Sequence, residues 1–76
     1  MSVTIYSTPT CPYCKMTKAF LNEIGVPFED KDVSMNEQAA QEMVEKSGQM
    51  GVPVLDINGK IVLGFDKDAI TAALRG

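Results

Sequence analysis

Val3-Thr4-Ile5-Tyr6-Ser7-Thr8-Pro9-Thr10-Cys11-Pro12-Tyr13-Cys14 passes from one kind of local order to another within a single short run. Val3 to Tyr6 are β-branched or aromatic and stop at a Ser-Thr-Pro-Thr cluster, which predicts a short buried strand ending in a turn. From Pro12 the pattern takes a helical period. Met16, Ala19, Phe20, Leu21 and Ile24 fall on one broad apolar stripe, with Lys15, Lys18, Asn22 and Glu23 elsewhere. Gly25 supplies the stop signal. Both cysteines of the chain sit at this strand-to-helix junction.

Further along, Pro27 to Val33 accommodates a second strand whose charges point to an exposed face or an edge position. Ser34 with Glu37 three residues on matches a capping box, so Ser34 is the expected N-cap of a second helix. That helix carries Ala39, Ala40, Met43 and Val44 at helical spacing and ends near Gly48. Val54-Leu55-Asp56-Ile57 and Lys60-Ile61-Val62-Leu63 flank Asn58-Gly59, the pattern of a hairpin with a type I′ turn. Gly64-Phe65 leads into a last helix through Ala69, Ile70, Ala73 and Leu74. The order is βαβαββα. A helix between the first two strands implies a parallel pair, the hairpin adds an antiparallel one, and the sheet is therefore mixed, with helices on both faces. Cys11 falls at the carboxyl end of that sheet, where α/β folds tend to gather their ligands.

Composition narrows the function classes. The 76 residues are 45% hydrophobic and 22% charged, an ordinary globular balance. One domain over residues 1–76 is expected. Seven Lys+Arg against ten Asp+Glu leave a formal charge of −3, without the basic footprint of a nucleic-acid binder. No apolar run approaches the ~20 residues of a membrane span, and no signal-peptide apolar region follows Met1. A soluble cytoplasmic protein is the expectation. With no His and only two Cys, the chain by itself assembles no four-ligand N/S zinc site, and no metal is assigned.

Cys11 and Cys14 are separated only by Pro12 and Tyr13. A bridge between them closes almost no loop and removes little entropy from the unfolded chain, so it is a poor structural staple. Redox chemistry is the use that remains. The nucleophile in disulfide exchange is the thiolate. A cysteine at a helix start faces unpaired backbone N–H groups and the positive end of the macrodipole, both of which favour the charged sulfur. Pro12 suits the first helical turn because its missing N–H has no intrahelical partner there. Cys11 is thus the expected N-cap and nucleophile. Cys14, inside the first turn and more buried, resolves the mixed disulfide. Lys15 and Lys18 add positive potential nearby, screened by solvent.

Val52-Pro53 is the second element. Pro53 either marks a strand entry after a trans bond or belongs to a tight loop with a cis bond, and the pattern leaves both open. In the second case Val52 backbone groups are free to bond an extended thiol substrate.

Cys11-Pro12-Tyr13-Cys14 after a short strand, then Gly51-Val52-Pro53, then Gly64-Phe65-Asp66-Lys67-Asp68 before a final helix, resembles the glutaredoxin family over essentially the whole chain. The resemblance implies a thioredoxin fold with a four-stranded mixed sheet flanked by helices, a cis peptide before Pro53, and dithiol chemistry at Cys11 and Cys14. It implies no tightly bound cofactor, with glutathione as co-substrate lying along Val52 and Pro53. The γ-glutamyl end would lie near Lys67 and Asp68, and Tyr13 would border the groove. Disulfide-containing proteins are the implied partners of a monomer. Two positions depart from the family pattern. Thr8 stands where many members have a Lys or Arg that meets a glutathione carboxylate, and Phe65 replaces the second residue of a Gly-Gly pair. Gly64-Phe65 is similar to the small redoxins that draw electrons from thioredoxin reductase and serve ribonucleotide reductase, so either electron donor fits. In a different class, an iron–sulfur carrier would hold a cluster between Cys11 of two chains and two glutathione thiols. Members with that role tend to have Gly after the first Cys and one active thiol, and Pro12 and Cys14 argue against it.

Overall fold

β1 (Val3–Ser7) lies inside the sheet, with β2 (Glu29–Asp32) parallel on one side and β3 (Val54–Ile57) antiparallel on the other. The computed structural model describes residues 2–75. After β1 come α1 (Pro12–Glu23), β2, α2 (Glu37–Ser47), β3, β4 (Lys60–Leu63) and α3 (Lys67–Leu74), the βαβαββα order expected. The sheet order is β2-β1-β3-β4, and β4 pairs antiparallel with β3. This is the mixed four-stranded sheet of a thioredoxin fold.

Successive side chains of a strand point to opposite faces. Val3, Ile5, Leu55, Ile57 and Val62 accordingly share one face, packed against Leu21 of α1 and Ile70 and Ala73 of α3. Tyr6 and Val54 face the other way, onto Met43 of α2. Helices cover both faces, as the pattern requires. Ile5, Leu21, Leu55, Ile57 and Ile70 are wholly buried, and each contributes about 1.5–3 kcal/mol relative to leaving it in water.

The hairpin turn has positive φ at both central residues, 53° at Asn58 and 90° at Gly59, as type I′ demands. The Asp56 carboxylate accepts the Gly59 N–H at 2.9 Å, and the Asn58 side chain accepts the Ser2 N–H at 2.7 Å. β2 is an edge strand reading Glu-Asp-Lys-Asp, and charges there discourage pairing with another chain. Among the described residues no helix is long and apolar enough to cross a membrane.

Two local expectations are corrected. α1 does not present Met16, Ala19 and Ile24 to the sheet: Met16 is 48% and Ile24 44% exposed, and Ala19 is exposed as well. Cys14, Thr17 and Leu21 are the buried stripe, at i, i+3 and i+7. Thr17 tolerates burial because its hydroxyl donates to the Tyr13 carbonyl at 2.8 Å. An apolar pattern alone passes over such a residue. In α2 the N-cap is Asn36, whose side chain accepts the Ala39 N–H at 3.1 Å. Ser34 is drawn instead to Asp32, which accepts both its N–H at 2.9 Å and its hydroxyl at 2.5 Å. The helix closes at Gly48, in the left-handed region with φ 75°.

Candidate active site

The turn after β1 delivers Cys11 to the N-cap of α1, with extended backbone at φ −90° and ψ 112°. Pro12 takes the first helical position, where its absent N–H costs no bond. The Cys11 sulfur accepts the backbone N–H of Cys14 at 3.1 Å, as a serine or aspartate oxygen does at an ordinary N-cap. The Cys11 N–H donates to the Thr8 carbonyl at 3.3 Å, which holds the turn. The first turn of α1 contains no acidic residue, so no local carboxylate offsets the positive end of the helix dipole. A negative charge on this sulfur would meet a backbone N–H and a favourable field.

The two sulfurs sit in different environments. Both are free thiols, Cys11 partly exposed and Cys14 fully buried. Burial pushes the Cys14 thiol up to about 11; its hydrogen bond with Cys11 adds to the rise, while a backbone hydrogen bond from Thr8 and the charge of Lys18 oppose it. Cys14 is therefore neutral throughout the physiological range. Lys18 is paired with Asp30 at 2.8 Å, and Asp30 also accepts the Ser7 hydroxyl at 2.5 Å.

Val52 forms the opposite wall. Its carbonyl oxygen lies 4.0 Å from the Cys11 sulfur, and the Val52–Pro53 peptide is cis, as the resemblance implied. Val52 precedes β3 and, among the described residues, pairs with no strand. Pro53 is buried, and its carbonyl accepts the Gly64 N–H at 2.9 Å. That bond brings the β4–α3 turn beside the loop. Gly64 has φ +75°, a conformation that side-chain-bearing residues rarely adopt.

Asp66 caps α3 by accepting the Ala69 N–H at 3.1 Å, so Lys67 and Asp68 are exposed in its first turn. The Lys67 ammonium lies over the rings of Phe20 at 5.5 Å and Phe65 at 5.7 Å, which meet edge to face with centroids 6.1 Å apart. Phe65 is thus a packing residue that also places Lys67. Tyr13 is 61% exposed on the first turn of α1. Sequence reasoning missed the Thr8 carbonyl and Thr17, both polar groups whose partners lie within one turn; the Ser-Thr-Pro-Thr cluster signalled only that the chain turns.

A concavity of about 480 Å³ between β2 and α2 is lined by Glu29, Asp30, Lys31, Asp32 and Glu42 among others, with neither cysteine in its lining.

The family model for glutaredoxin matches residues 3–62. A glutaredoxin-like 8.6 kDa protein in the rubredoxin operon of Clostridium pasteurianum is 46% identical over 68 residues, covering 90% of this chain and 91% of that protein. The crystal structure of a glutaredoxin from Archaeoglobus fulgidus is similar with a TM-score of 0.91 and 31% identity, covering 99% of this chain and 87% of that one. NrdH-redoxin from Escherichia coli, a glutaredoxin-like protein with a thioredoxin-like activity profile, is similar with a TM-score of 0.85 and 29% identity, covering 95% of this chain and 93% of that one.

Proposed function

This chain belongs to the glutaredoxin family and is a thiol–disulfide oxidoreductase, and from that premise we propose that it reduces protein disulfides and mixed disulfides of glutathione or a similar small thiol. Cys11 is the nucleophile and Cys14 the resolving thiol. The observation that carries this reading is the asymmetry of the pair: Cys11 is reachable and accepts a backbone N–H at 3.1 Å, while Cys14 is buried and held protonated.

The cycle balances on sulfur alone. The Cys11 thiolate attacks one sulfur of a substrate disulfide; a Cys11–substrate bond forms, and the other substrate sulfur leaves as a thiolate and takes a proton from water. Cys14 then gives up its proton and attacks the Cys11 sulfur. The second substrate thiol departs, and the Cys11–Cys14 disulfide holds the two-electron oxidation. Two thiols of glutathione, or a reductase, return both cysteines to the reduced state, and no tightly bound cofactor is required. Val52 offers backbone groups for strand-like bonds to the substrate, Pro53 sets the loop, Tyr13 borders the groove, and Lys67 and Asp68 meet the γ-glutamyl end of glutathione. The reading takes the protein as a cytoplasmic monomer.

Turnover of a glutathione mixed disulfide by two variants tests the roles. Cys11→Ser should abolish it. Cys14→Ser should keep a monothiol route and lose reduction of protein dithiols. Full activity in the Cys11 variant ends the reading.

A second reading concerns the electron donor. Thr8 supplies no cation for a glutathione carboxylate, and Lys67 is already seated on two aromatic rings. These features favour recharge by thioredoxin reductase, with ribonucleotide reductase as acceptor, and the likeness to NrdH-redoxin supports it. Competition between glutathione and a flavin reductase for the oxidised protein decides between donors. A charge-assisted contact contributes about 1.5–3 kcal/mol, so Thr8→Lys should tighten glutathione binding roughly ten- to hundredfold. Unchanged affinity in that variant removes Thr8 from the argument.

A further inference from the structure

Met50 stands between the end of α2 and the Gly51-Val52-Pro53 loop, and its side chain is 82% exposed. With Ala40 and with Val44, itself 37% exposed, it lines an open groove of about 380 Å³ whose rim is Glu37, Gln41 and Glu45. The floor is apolar and the rim is anionic. Among the described residues neither Glu37 nor Glu45 has a lysine or arginine within salt-bridge distance. The neighbouring cation, Lys46, is committed elsewhere, to Asp56 at 2.6 Å and Glu42 at 3.5 Å. Glu37 is explained by its place in the first turn of α2, where a carboxylate is favoured. Glu45 is not. It occupies the last turn, where the helix dipole opposes a negative charge.

The groove is tied to the sulfur site through the chain segment from Met50 to Val52. Met50 precedes by two residues Val52, whose carbonyl is 4.0 Å from the Cys11 sulfur. At roughly 3.3–3.6 Å per extended residue, a peptide lying along Val52 reaches the groove about two to four residues from its reacting cysteine.

We infer that this groove docks the flank of a protein disulfide substrate, taking an aliphatic side chain on the Ala40–Val44–Met50 floor and a lysine or arginine against Glu45 and Glu37. The inference rests on the thiol-exchange reading above and adds its substrate class: proteins whose reactive cysteine carries a basic and apolar flank. Charge complementarity supplies selectivity and the apolar floor supplies burial.

The test uses peptides whose cysteine is disulfide-bonded to a chromophoric thiol, with either Leu-Lys or Ser-Glu placed two to four residues away, and hydroxyethyl disulfide as a flankless control. The Leu-Lys peptide should be reduced with about three- to tenfold higher kcat/KM than the Ser-Glu peptide. Glu45→Lys should invert that preference and Val44→Ser should diminish it, with the hydroxyethyl disulfide rate unchanged in both. Equal rates for the two peptides, or a preference that neither variant moves, overturn the inference. So does an altered sedimentation coefficient in Glu45→Lys without altered selectivity, which would assign the groove to a second copy of the chain. Should the small disulfide itself fail to react, the thiol-exchange reading is what fails; peptide affinity by fluorescence anisotropy on the same variants then still decides the groove.

Discussion

Alkylating the reduced protein at neutral pH should modify Cys11 and spare Cys14. The Cys14 thiol is pushed from an ordinary 9.0 to about 11, first by burial and then by its hydrogen bond with Cys11. Only the thiolate reacts. At pH 7 the thiolate fraction of Cys14 is on the order of 10⁻⁴, against about 10⁻² for an unperturbed thiol, a hundredfold handicap before access is counted. Full burial adds to it. A time course with iodoacetamide, read by fragment-ion mass spectrometry because both cysteines share one tryptic peptide, gives the two rates separately. The Cys14 rate should rise about tenfold per pH unit and level off only near 11. Carboxamidomethylation of Cys14 at pH 7 as fast as that of a free cysteine peptide would refute the reasoning. For stability the sign is that of a group whose folded value is raised: the protonated fold is fully favoured below about pH 9, and that contribution is lost as pH rises through about 11.

Acid should act elsewhere. The Glu42 carboxylate is held down to about 2, first by the Tyr6 hydroxyl that donates to it and then by Lys31 at 3.1 Å. Its contribution is complete above about 4.5 and is lost as pH falls toward 2, so Glu42→Gln should flatten the melting temperature profile in that window; an unaltered slope would contradict it. Leu21→Ala removes a fully buried side chain from between α1 and the sheet and should cost about 2–5 kcal/mol in denaturant unfolding, whereas a loss below about 1 kcal/mol would show that α1 is not anchored there. Phe65→Ala takes away one of the two rings under Lys67, and because Phe65 is only partly buried it should lower stability by less than the ~3–5 kcal/mol of a core phenylalanine; calorimetry is the check, and a loss in that full range would contradict the reasoning.

The features legible in the residues were those whose causes are local. Asn58-Gly59 between alternating runs specifies its turn because the torsions it needs are available to few other pairs. A cysteine followed by Pro12 at the end of a β-branched strand already locates the helix start and the N-cap sulfur. The charged run of β2 declares an edge. The structure decided whatever depends on partners far away in the chain. The rotation of α1 follows from the sheet it lies on, which selects Cys14, Thr17 and Leu21 over the more apolar Met16 and Ile24. The bond from Gly64 to Pro53, and that between Tyr6 and Glu42, join residues that carry no mutual signal in sequence. The spacing of two cysteines, read with the strand before them and the helix after, points to disulfide chemistry. Which of them stays protonated is a matter of burial, and burial is a property that only the assembled molecule possesses.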